Sequence, residues 1–161
     1  MTRGFGVQGS AFRVLVLVPV LVLVLVLCVA ALPAQTPSRE AAARAPIDAF
    51  FTAFNARDND ALKKTLHYPH MRINEAGGVN IWPTAADAGT NFDALTRSEG
   101  WARNSLDSVT MRANDPVKVH FEVVFSRYTA DGTKYATYQS LWIVTLKDGA
   151  WGVQARSSFA P

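Results

Sequence analysis

Cysteine is nearly absent: Cys28 stands alone in 161 residues, inside an apolar run near the N-terminus. The rest of the chain therefore has no disulfide, no thiol nucleophile and no thiolate metal site. Charge is also sparse, with sixteen Lys and Arg against thirteen Asp and Glu, and the basic residues are scattered. No Lys/Arg cluster interleaves with aromatics, which argues against a nucleic-acid partner. Three further chemical signatures are missing: a phosphate-cradling Gly loop, a Gly-x-Ser-x-Gly elbow and paired carboxylates. No internal repeat is visible.

What is present first is an N-terminal segment unlike the remainder. Arg3 and Arg13 are its charges, and Val14 to Leu27 is Val and Leu broken once by Pro19. A positive start, a short apolar run and small residues afterwards describe an export signal. Cleavage after Ala34 leaves the polar start Gln35-Thr36-Pro37-Ser38; cleavage after Ala31 is the alternative. The competing reading is an uncleaved anchor, since Val14 to Leu32 approaches the ~20 residues that span a bilayer. A lipid anchor at Cys28 is disfavoured by the bulk of Leu27. The expected organisation is a signal over 1–34, a linker over 35–45 and one domain over 46–161. The expected location is periplasmic or secreted, with membrane attachment only if the signal stays uncleaved. The two early arginines account for most of the formal net charge of +3.

Past the signal, Pro46 suits the first turn of a helix. Ile47, Phe50, Phe51 and Phe54 then fall at helical spacing. Arg57-Asp58-Asn59-Asp60 offers N-caps for a second helix, from Ala61 to about His67, which Tyr68-Pro69 stops. Two short extended pieces, His70–Asn74 and Val79–Trp82, flank a Gly77-Gly78 turn. Thr84-Ala85-Ala86-Asp87 resembles a capping box that opens a third helix ending at Glu99-Gly100. From Trp101 the period changes to two. Strands are predicted over Leu106–Met111, Val117–Tyr128, Tyr135–Leu146 and Ala150–Phe159, the last three forming an antiparallel meander. Val117, Val119, Phe121, Val123 and Phe125 share a core face; His120, Glu122, Gln154 and Arg156 are expected on the opposite one, a polar surface suited to a dimer contact or to solvent.

This order is α+β. With the segments IDAFFTAFNARDNDALKKTLHYPH (47–70) and VHFEVVFSRYTADGTKYATYQSLWIVTLKDGAWGVQARSSF (119–159), it resembles the NTF2-like superfamily, including SnoaL-like and ketosteroid-isomerase-like proteins. The resemblance implies N-terminal helices packed in a strongly curved, mostly antiparallel sheet, a cone with a pocket at its wide end. Members of that superfamily isomerise, cyclise, dehydrate or simply bind, and many dimerise through the sheet. Fold analogy alone selects none of these roles.

Six residues are candidates for lining the pocket: His67, His70, Trp101, Arg127, Tyr138 and Ser140. His67 and His70 flank Tyr68-Pro69; Pro69 keeps the two imidazoles from sharing a helix face, so no metal site is assigned, and either ring is a candidate base or hydrogen-bond partner. Arg127 continues the core face of its strand to the expected rim, where a guanidinium suits a carboxylate-bearing ligand. A strand-end arginine paired with an acid such as Asp131 is the alternative. Tyr138 and Ser140 offer hydroxyls beside the apolar walls Phe50, Phe54, Trp101 and Trp142, although aromatics at this spacing are also ordinary core. The core-facing positions of Val117–Phe125 carry no carboxylate, so the ketosteroid-isomerase base has no counterpart there; Asp87, Asp93 and Asp107 remain unaligned to it.

The expected function is binding of a small, largely apolar ligand in an exported homodimer, with no cofactor. The alternatives are a cofactor-free SnoaL-like isomerase, cyclase or dehydratase using His67 or His70, and a protein-interaction module with a filled cone.

Overall fold

The computed structural model describes residues 37–161, together with Met1, Thr2, Gly4 and Gly6. Residues 37–161 form one compact unit. The predicted export segment and its cleavage positions lie outside the described residues.

Helix α1 spans Arg39–Asn55. It starts well before Pro46, because Ser38 caps it: the Ala41 amide donates to Ser38 Oγ at 3.2 Å. Glu40 sits in the first turn, and the Ala-rich segment expected as a linker has high helix propensity. Pro46 is carried inside the helix, where it forfeits one backbone bond. Ile47, Phe50, Phe51 and Phe54 are all buried on the inner side of this helix.

Helix α2 spans Asn59–Lys64, with the Ala61 amide on the Asp58 carboxylate at 2.9 Å. It stops earlier than expected. Strand β1, Leu66–Ile73, takes His67 because Leu66 pairs with Val153 and the Val153 amide donates to the Thr65 carbonyl. Strand β2, Val79–Trp82, forms the expected hairpin with β1, closed by Asn74 Oδ1 accepting from the Ala76 and Gly78 amides.

The Thr84–Asp87 segment forms a turn rather than a helix start: Asp87 accepts from the Thr84 amide and hydroxyl. Thr90 is held by two hydrogen bonds to the Asn59 side chain. Helix α3 therefore begins later, at Phe92–Glu99, capped by Asn91 and ended by Gly100 in the left-handed region (φ 68°).

Strands β3 (Arg103–Asn114), β4 (Lys118–Tyr128), β5 (Lys134–Lys147) and β6 (Ala150–Ser158) complete a six-stranded sheet. Its order is β2-β1-β6-β5-β4-β3. All neighbours are antiparallel except β1 and β6, which run parallel. The sheet is open, mixed and curved around α1, which is the expected α+β cone architecture. Along β4, Val119, Phe121, Val123 and Phe125 are buried as expected; Val117 precedes the strand and is exposed.

One irregularity matters for the site. Val144 pairs with Val153, yet Ile143 pairs with Ala155, so β6 carries an extra residue at Gln154. Such a bulge shifts the alternation of every residue after it. Arg156 consequently lies opposite Trp142, on the inner face. This corrects its expected place on the outer surface.

Among the described residues no helix is long and apolar enough to cross a membrane.

Candidate ligand cavity

The aromatic stripe of α1 does not fill the cone. A cavity of about 100 Å³ remains, walled by Phe50, Phe51, Phe54, Leu95, Phe125 and Trp142. Its polar lining is unusual for an apolar core: Arg72, Arg127 and Arg156, with Asn104, Thr90 and Ser158. Ala160 and Pro161 close one side. No lining residue is Asp or Glu.

Each arginine is brought inward by its strand. Arg127 extends the buried row of β4 and is 5% exposed. Its Nη1 donates to Glu99 Oε2 at 2.5 Å, so its acid partner is Glu99 at the end of α3 rather than Asp131. The same oxygen accepts from the Tyr135 hydroxyl at 3.0 Å. Burial and the Glu99 carboxylate push the Tyr135 phenol well up, so it stays a donor. Arg127 Nε is buried with no partner.

Arg156 reaches the cavity through the Gln154 bulge. Its guanidinium lies 4.6 Å from the Phe50 ring centroid and 5.5 Å from that of Trp142, a double cation–π contact. Arg72 is its register partner on parallel strand β1. The two like charges thus stand side by side. Arg72 Nη2 donates to the Ala160 carbonyl at 2.6 Å. Burial, and then the neighbouring Arg72, pull Arg156 down to about 9. Burial also lowers Arg72. Among the described residues, Arg127 alone of the three forms an ion pair with a carboxylate.

Of the six sequence candidates, Arg127 lines the cavity. His70 lies just behind the lining. It is fully buried, stacks on Trp82 (5.5 Å, 28°), and places Nδ1 3.0 Å from the Val153 carbonyl. Arg156 Nε approaches its Nε2 at 3.4 Å. Burial and Arg156 lower its pKa to about 4, so the ring is neutral near pH 7. His67 points to the other sheet face, where Nδ1 meets Thr145 Oγ1 at 2.9 Å and the ring packs over Gly152. The two imidazoles therefore diverge. Trp101 is core: it packs on Phe54 and Phe92, and its indole N–H donates to Asn104 Oδ1 at 3.0 Å. Ser140 is occupied structurally, accepting from Trp142 Nε1 at 2.8 Å and donating to the Ser157 carbonyl at 2.7 Å. Tyr138 packs on Phe125 and under the Arg127 guanidinium, outside the lining.

The unaligned carboxylates are elsewhere. Asp87 closes its turn, Asp93 lies near Arg57 at the surface, and Asp107 accepts from Ser126. Among the described residues no group of three or more His, Cys, Asp or Glu could hold a metal.

The chain shares its fold with solved NTF2-like structures. A Novosphingobium aromaticivorans NTF2-like protein with a cystatin-like fold matches with TM-score 0.59 and 15% identity, over 88% of each chain. A Nostoc punctiforme protein of cystatin-like fold matches with TM-score 0.61 and 12% identity, over 77% of this chain and 92% of that one. A Xanthomonas campestris structure described as a putative calcium/calmodulin-dependent protein kinase II association domain gives TM-score 0.56 and 18% identity, over 82% and 93%. No family model matches the chain, and no curated protein matches it in sequence. The class is therefore NTF2-like by fold. At these identities the likeness concerns architecture alone.

Proposed function

We propose that this domain is a binding protein for a small carboxylate-bearing molecule with a short apolar body. The observation carrying this reading is the juxtaposition of Arg72 and Arg156, two inward guanidiniums that form no ion pair with a carboxylate among the described residues, at a cavity walled by aromatics. Bringing two like charges together in a partly desolvated space is unfavourable unless an anion offsets it. A carboxylate fits the guanidinium fork, and the phenyl walls accept an apolar remainder. The cavity volume favours a small ligand. No Asp or Glu side chain lines the cavity, so a ketosteroid-type proton transfer, in which an acid residue serves as base, finds no support there.

The apolar N-terminal run supports export, with binding outside the cytoplasm as an exported pocket would provide. The outer sheet face supports self-association: Leu141 is 44% exposed there, amid the β-strand surface. A structural neighbour is itself described as an association domain.

Thermal melting tests the ligand reading. Butyrate and benzoate are expected to raise the Tm with increasing concentration, since a ligand bound only by the folded state stabilises it. Arg156→Gln should remove that response. Equal shifts from chloride and butyrate, or none from any carboxylate, would overturn the reading.

A further inference from the structure

We propose that His70 is a positioning residue for this cavity, fixing which edge of Arg156 is offered to an anion. The inference rests on the ligand reading above but adds a residue and a tautomer to it. A ring nitrogen 3.0 Å from a carbonyl oxygen must carry the proton to make a hydrogen bond, so His70 is protonated on Nδ1, facing Val153. Its Nε2 then keeps a lone pair. The N–H of Arg156 Nε points at that lone pair across 3.4 Å. Stacking on Trp82 fixes the ring plane, and full burial leaves no water to replace either contact.

Arg156 is thereby held by three side chains. Phe50 and Trp142, edge to face with each other at 5.0 Å, both lie against its guanidinium, and His70 takes its Nε edge. Since His70 lies behind the lining and Arg156 in it, the terminal nitrogens are left for the cavity. Arg72 is restrained likewise, through Nη2 on the Ala160 carbonyl. A guanidinium held this way has little rotamer freedom to lose on binding. Without an acceptor at position 70, Arg156 Nε–H would lose its partner, and the side chain would turn to find another.

The test uses the whole domain with sodium butyrate as probe. In the unliganded wild type, nitrogen NMR of the His70 ring should show Nδ1 protonated and Nε2 bare between about pH 6 and 8. His70→Phe keeps the ring on Trp82 but removes the acceptor; it should weaken butyrate by about tenfold or more. His70→Gln retains an acceptor and should recover most of that affinity, with the Arg156 Nε–H resonance restored. An Nε2-protonated wild-type ring would overturn the proposal whatever the variants do. So would a His70→Phe variant that is folded and binds butyrate as the wild type does. If the wild type binds no butyrate while the ring shows the expected tautomer, the ligand reading fails and the positional role with it as a binding device, leaving a structural contact only.

Discussion

His70 and His67 illustrate how one residue type takes two different roles three positions apart. His70 is enclosed against Trp82 and Arg156 and titrates near 4 instead of 6.5. Its pKa is depressed in the folded state, so the unfolded chain takes up the proton first as pH falls. Stability from this group is complete above about 6.5 and is lost toward 4, by about 3 kcal/mol if the whole shift is realised. Arg156 is the charged side chain facing the ring, and its own charge persists throughout that range. Denaturant titrations between pH 7 and 4 should show this slope, and His70→Gln should flatten it. His67, by contrast, is packed over Gly152, where an added Cβ would stand 2.4 Å from its ring carbon. Gly152→Ala is expected to cost about 1–3 kcal/mol through overpacking. A second change, His67→Ala, should relieve most of that cost; if it does not, the collision is not the cause.

Elements, rather than single residues, decide which polar groups enter the cavity. Arg127 was legible in the sequence because β4 alternates without interruption through the site, from Val119 to Arg127. Arg156 was not, because the extra residue at Gln154 reverses the alternation and no Gly or Pro marks the bulge. Arg72 follows a comparable break, since the β1 register shifts against β6 between Leu66 and Met71. Helix limits erred for a related reason. Local signals at Pro46 and Thr84 were real but were overruled by Ser38 capping and by the Asn59–Thr90 clasp, contacts between residues or segments that periodicity does not register. The hairpins carried their own turn chemistry, as in Asp148-Gly149, both with positive φ, and were readable. The end of α3 supplies a test at this scale. Glu99→Gln removes the carboxylate from Arg127, whose side chain is 6% exposed, and leaves that charge buried. The expected destabilisation is about 3–5 kcal/mol by chemical denaturation, with part of it recovered in butyrate. A neutral effect would mean that Arg127 is already satisfied from another quarter.

For the whole molecule, the fold class and strand meander followed from composition and period, and the solved NTF2-like structures share the architecture. The cavity is a property of the assembled cone: β1, β4 and β6 each send in one arginine, and α1 provides the aromatic wall. The outer face of the same sheet carries the proposed self-association. Leu141→Glu should shift sedimentation toward the monomer without altering carboxylate binding; an unchanged mass would place any association elsewhere. The central claim is that Arg72 and Arg156 together make an anion site inside an aromatic cavity. Isothermal titration of butyrate into the wild type, Arg72→Gln and Arg156→Gln tests it most directly. One butyrate per chain, weakened about tenfold or more by either substitution, is the predicted result. Undiminished binding in both variants, or no binding to the wild type, would contradict it.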